Sequence, residues 1–198
     1  MRRQWLAALV IVIGASPFAF AQRSGAAAAA KSSTLAKCAA DLGNGAKTRR
    51  HFCDVVIAKT PGGSVSMTIP RHTGAATLRF DLHNRFSPAS GAAAGDLFAQ
   101  HVAVVAVVRS TGAIVDRAAV TGEFRAPGDA FDQITGVKGV APGAGSSVVV
   151  TIPAGVTAIG IVGVRLESTT LSGRQVFDTP GRPVAMISNL RVEYVPAK

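Results

Sequence analysis

From residue 52 onward the chain alternates short apolar or half-apolar runs with clusters of Gly, Pro, Ser, Asn and Asp, and nowhere sustains an apolar helical period. Runs of that length, bounded by turn formers, are too short to bury a helical stripe. They suit strands whose side chains point alternately to two faces. Strand and helix patterns do not alternate either, which argues against a parallel α/β sheet. The expected fold is all-β, an antiparallel β-sandwich of jelly-roll type with roughly eight to ten strands.

The clearest alternation sets Leu78, Phe80 and Leu82 on one face and Arg79, Asp81 and His83 on the other, with a turn expected at Asn84. Residues 97–108 and 156–166 are instead apolar on both faces and rich in β-branched side chains, as central strands are. Further strands are expected at 52–58, 64–69, 113–120, 122–125, 147–152, 175–177 and 183–194. In the last of these Leu190, Val192 and Tyr194 point inward, Arg191 and Glu193 outward. The stretch Ile152-Pro153-Ala154-Gly155-Val156, which leads into a buried strand, and the closing strand at 187–194 resemble those of secreted jelly-roll modules. That likeness is architectural, covers about a third of the chain, and belongs to folds that host unrelated functions.

The N-terminus supplies an address. Arg2 and Arg3, an apolar run over residues 6–13 and Ala19-Phe20-Ala21 before Gln22 have the pattern of a secretory signal peptide spanning residues 1–21, too short to cross a bilayer as a helix. The remaining chain is expected in the periplasm or outside the cell, with no transmembrane segment. Residues 22–51, Ala-rich and basic, suggest a flexible linker, and residues 52–198 one β-sandwich domain. The formal charge of +10 does not imply a nucleic-acid partner, because it is concentrated at the N-terminal end. From Phe52 onward there are 13 bases and 10 acids, whereas Arg23, Lys31, Lys37, Lys47, Arg49 and Arg50 face only Asp41 between residues 22 and 51. Such a tail supports at most weak attraction to anionic surfaces.

Cys38 and Cys53 are the only cysteines, and in an oxidising compartment they are expected to form a disulfide. Closing a loop of that length contributes roughly 3 kcal/mol through the unfolded state. The histidines His51, His72, His83 and His101 form no paired ligand motif. Asp81, His83, Asn84 and Arg85 are the best candidates for a small polar binding site near a sheet edge. Asp129 and Asp132 occupy a turn whose oxygens suit a calcium ion, although the turn is not an EF-hand loop. Gly62-Gly63-Ser64-Val65-Ser66 lacks the closing glycine of a nucleophile elbow, and Gly45-Ala46-Lys47-Thr48 lacks most of a P-loop. The only Trp, Trp5, lies in the signal and the only Tyr is Tyr194, which disfavours sugar or single-stranded nucleic-acid binding by aromatic stacking. No catalytic residue is indicated. These features point to an exported, non-catalytic β-sandwich that binds or scaffolds an envelope or extracellular protein or polysaccharide. The alternatives are an envelope-directed hydrolase with a loop-assembled site around His83, Arg85 and a later carboxylate (Asp116, Glu123, Asp129, Asp132, Glu167 or Asp178), a calcium-assisted carbohydrate-binding module, and an assembly subunit lending an edge strand.

Overall fold

Strands dominate wherever the chain alternates, and they extend into the segment expected to be a linker. A computed structural model describes residues 30–33, 36–86, 99–124, 130–135, 141–176 and 184–197. The strands are β1 (Lys31–Ser33), β2 (Ala36–Cys38), β3 (Asp41–Asn44), β4 (His51–Val55), β5 (Val65–Thr68), β6 (His72–Phe86), β7 (Ala99–Arg109), β8 (Ile114–Phe124), β9 (Ala141–Ile152), β10 (Ala158–Thr170), β11 (Gly173–Val176) and β12 (Ala185–Pro196), with a 3-10 turn at Pro61–Gly63. The residues assigned to the signal peptide, and Asp129 and Asp178, lie outside the described residues.

Two antiparallel sheets form a sandwich-like fold. The first has the order β3-β4-β12-β6-β9, with β1 also on β12; the second has β2-β5-β10-β7-β8, with β11 also on β10. The doubly apolar runs thus become β7 and β10, neighbours in the interior of the second sheet. Leu78, Phe80 and Leu82 of β6 and Ile187 and Val192 of β12 meet Val105 and Val107 of β7 between the sheets, all at most 1% exposed. Burying each such side chain contributes about 1.5–3 kcal/mol relative to leaving it in water.

Residues 31–33, 36–38 and 41–44, in the segment expected to be flexible, are held by pairing. Ser32 registers with Glu193, Lys37 with Ser66 and Asp41 with Cys53, so β1, β2 and β3 each join a sheet. Leu42 is buried, and Cys38 is bridged to Cys53, tying the second sheet to the first. Strands of three or four residues are too short for alternation to reveal them. Arg50 is likewise no solvated tail base: its Nη1 lies 3.0 Å from Asp81 Oδ2 and its guanidinium 5.2 Å from the Phe131 ring centroid.

The chain passes from one sheet to the other through residues 56–63, which cross the outer face of the second sheet. Ala58 packs on Ala106, Val108 and Val162, and the Gly163 N–H donates to the Val56 carbonyl at 2.8 Å. The crossing requires a bare backbone beneath it. A Cβ on Gly160 would lie 2.4 Å from Pro61 Cβ, and one on Gly163 3.1 Å from the Ile57 nitrogen.

Candidate functional site

Asp81 and His83 share the outer face of β6, as alternation requires, but that face is covered. Phe52, Met186, Leu42 and Ile134 form a second apolar cluster there, with Phe131 packed against it. His83 is 1% exposed, 5.4 Å from Phe52 in an edge contact and 5.5 Å from Phe131 between ring centroids. Its ring lies across the neighbouring strand at Gly145, where a Cβ would come within 2.5 Å of the imidazole. A residue expected on a solvated face is therefore enclosed, because residues 130–135 fold over it and β9 offers glycine beneath it.

The partners of the ring fix its protonation. Nδ1 lies 2.9 Å from the Gly143 carbonyl, which only accepts, so Nδ1 carries the hydrogen. Nε2 then accepts from the Ser188 hydroxyl at 2.9 Å. Burial pushes the imidazole below its ordinary pKa of 6.5; the Gly143 bond and the Asp81 charge oppose that shift, and Arg50 adds to it. This is the hydrogen-bonding pattern of a serine and its base, but Ser188, like His83, is only 1% exposed. The pair is a satisfied polar insert beneath an apolar cover.

The rest of the expected quartet does not converge. Asn84 is not in a turn: β6 continues to Phe86, with a register shift against β9 between His83 and Arg85. Asn84 points to the opposite face and is buried between the sheets, its Nδ2 3.4 Å from the Val120 carbonyl. Arg85 pairs with Pro142 through the backbone. Nor is β6 an edge strand, since β12 and β9 flank it. Asp81 instead accepts from Arg50 and, at 2.6 Å, from Asn189 Nδ2. Asn189 has φ 53° and sits where β12 shifts register between Ser188 and Arg191. Asparagine tolerates this left-handed conformation, and the Asp81 contact holds the irregularity in place.

Asp132 has chemistry opposite to that of a calcium ligand. Its Oδ1 accepts from the N–H groups of Lys47 (2.9 Å) and Gln133 (2.7 Å), and its Oδ2 from the Thr48 N–H (2.9 Å) and hydroxyl (2.5 Å). Both oxygens are ringed by donors, which repel a cation. Burial alone would raise its pKa, but the donors of Thr48, Lys47 and Gln133 outweigh that and hold it at about 2, from an ordinary 3.8. The carboxylate pins residues 130–135 to the turn after β3, aided by Ala46 N–H to Gln133 O at 2.7 Å. Gly45 makes room for it, since a Cβ there would meet Asp132 Oδ2 at 2.2 Å.

These two groups set the response to acid. Both folded-state pKa values lie below the unfolded ones, so protonation favours the unfolded chain. Stability is expected to begin falling as pH drops below 6.5, where His83 must take a proton in a buried site, and to fall again between 3.8 and about 2 as Asp132 loses its charge. The second step is about 1–2 kcal/mol. Asp132→Asn, which turns an amide toward donors, is expected to cost about 2 kcal/mol at neutral pH and to abolish that second step. Urea denaturation at a series of pH values measures both; an unchanged acid limb in the variant would contradict the assignment.

Elsewhere, Glu167 lies between Arg165 and Arg174 on β10 and β11. The Arg165 hydrogen bond, opposed by burial and reinforced by Arg174, holds its carboxyl at about 2. It is an ion-paired group of the second sheet, whereas His83 belongs to the first. Both ring nitrogens of His83 are engaged by Gly143 and Ser188 rather than by a carboxylate. A concavity of about 750 Å³ opens at the β2–β5–β10 side of the second sheet, lined by Ala36, Pro61, Met67 and Ile159 together with the polar Lys37, Thr60, Ser66, Thr68 and Ser110. Sequence reasoning missed it because its walls come from a three-residue strand and the crossing segment. Among the described residues no helix is long and apolar enough to cross a membrane. No family model, curated protein or solved structure matches this chain.

Proposed function

We propose that this protein is an exported, non-catalytic sandwich of jelly-roll type that binds an envelope or extracellular partner through the β2–β5–β10 cleft. The cleft itself carries the reading. It joins an apolar floor to hydroxyl groups and one cation, Lys37, the composition of a site for a ligand with an apolar body and a polar or anionic edge. The N-terminal signal pattern supports export. The enclosed Ser188–His83 pair and the donor-ringed Asp132 favour binding over a hydrolase centred on His83 or a calcium-dependent module built on Asp132.

The test is thermal melting of the protein with envelope polysaccharide fragments, anionic amphiphiles and calcium, for the parent chain and for Ser66→Trp, which places an indole in the cleft. A ligand of this site is expected to raise the parent midpoint by mass action and to leave the variant unchanged. A shift of equal size in both proteins places binding elsewhere, and a flat response to the whole panel removes the small-ligand reading.

A further inference from the structure

Cys38, His51 and Cys53 lie together at the rim where β2 approaches the first sheet. One ligand atom from each falls within 4.8 Å of the other two. His51 precedes Cys53 by two residues on β4, so alternation puts both on one face, with Nδ1 3.9 Å from Cys53 Sγ. The far side of that imidazole is also engaged: Nε2 lies 2.9 Å from Asp41 Oδ1, and Asp41 is the register partner of Cys53 on β3. The group faces a separate concavity of about 330 Å³, lined in part by Ser188 and Asn189.

We propose that reduction of the Cys38–Cys53 bridge converts this corner into a binding site for a thiophilic d10 cation, Cu(I) or Zn2+, held by the two thiolates and His51 Nδ1. Soft thiolates with one imidazole are the donor set such ions prefer. Metal–sulfur bonds of about 2.3 Å and metal–nitrogen bonds of about 2.0 Å put ligand atoms roughly 3.5–3.8 Å apart, so the present spacing needs only side-chain rotation. Asp41 holds the imidazole with Nε2–H toward the carboxylate and Nδ1 free to donate its lone pair, as carboxylates behind metal-bound histidines do. The concavity leaves space for a fourth ligand on Zn2+, whereas Cu(I) needs none. In the oxidised chain the sulfurs are committed to each other, so the site exists only after reduction.

The steps balance. An external dithiol delivers two electrons and two protons to the bridge and leaves as its own disulfide. In vitro a trialkylphosphine does the same with water, ending as the phosphine oxide. The cation then displaces two thiol protons.

The test uses the full chain, reduced by phosphine and freed of it anaerobically, beside the untreated oxidised chain. Zn2+ and Cu(I) are titrated separately against chromophoric chelators, and far-ultraviolet circular dichroism checks that the reduced chain is folded. The reduced protein is expected to bind one equivalent of at least one ion and the oxidised protein none. His51→Ala, at a half-exposed position whose loss leaves the core intact, is expected to weaken binding at least tenfold, and Asp41→Asn about tenfold. Binding of Zn2+ indicates a four-coordinate centre completed from the concavity; binding of Cu(I) alone indicates a three-coordinate one. Equal binding by oxidised and reduced chains, binding by neither, or a His51→Ala variant as tight as the parent overturns the proposal.

Discussion

Replacing Phe52 with Ala is expected to lower the unfolding free energy by about 4 kcal/mol, the upper part of the range for a fully buried aromatic ring. Phe52 is 0% exposed although it faces away from the main core. It is the member of the outer cluster that touches both His83 and, through that cluster, Ile134 and Leu42. Its loss opens a cavity beside a neutral imidazole and weakens the hold on residues 130–135. Denaturation in urea measures the energy, and amide exchange over residues 130–135 shows where it is lost. A cost below about 1.5 kcal/mol, with exchange unchanged, would mean that the outer cluster is a loose cover rather than a second core.

Breaking the Cys38–Cys53 bridge is expected to cost about 3 kcal/mol, the entropy returned to the unfolded chain when a loop of this size is released. The sequence separation is 15 residues, and the bridge joins β2 in one sheet to β4 in the other. Among the described strands the three-residue β2 pairs only with β5, so it is the element expected to detach first. Thermal melting with and without phosphine reports the loss. It should be matched by Cys38→Ser combined with Cys53→Ser, where no reductant is present. If the reduced and oxidised midpoints coincide, β2 is held by its backbone pairing and the bridge adds little.

Much of the frame was legible because side-chain alternation is strong where strands are long. Leu78, Phe80 and Leu82 declared the inner face of β6, and Leu190, Val192 and Tyr194 that of β12, which in both cases is the face that packs on the core. The two doubly apolar runs marked the interior of the second sheet. The pattern failed where coverage comes from a distant segment. Nothing near His83 announces that Phe131, 48 positions further on, closes over it, or that Gly145 leaves a berth for its ring. Asn84 carried a turn signal that the sheet overrode, since a register shift absorbed the polar residue within the strand. Asp132 looked like a cation ligand by composition. Its actual role depended on three N–H groups and a hydroxyl, two of those N–H groups and the hydroxyl coming from residues 47 and 48. The cleft was hidden for the same reason, its walls meeting only after the crossing segment has been laid across the second sheet.

The place of β12 in the first sheet bears on how the protein is made. Residues 185–196 supply the strand to which β4, β6 and β1 all bond, so β1, which ends at Ser33, meets its partner only after about 150 further residues. A growing chain can pair β3 with β4 and β6 with β9 but cannot join the two pairs before β12, and non-local pairing of this kind forms slowly. The first sheet is therefore completed only when synthesis reaches β12.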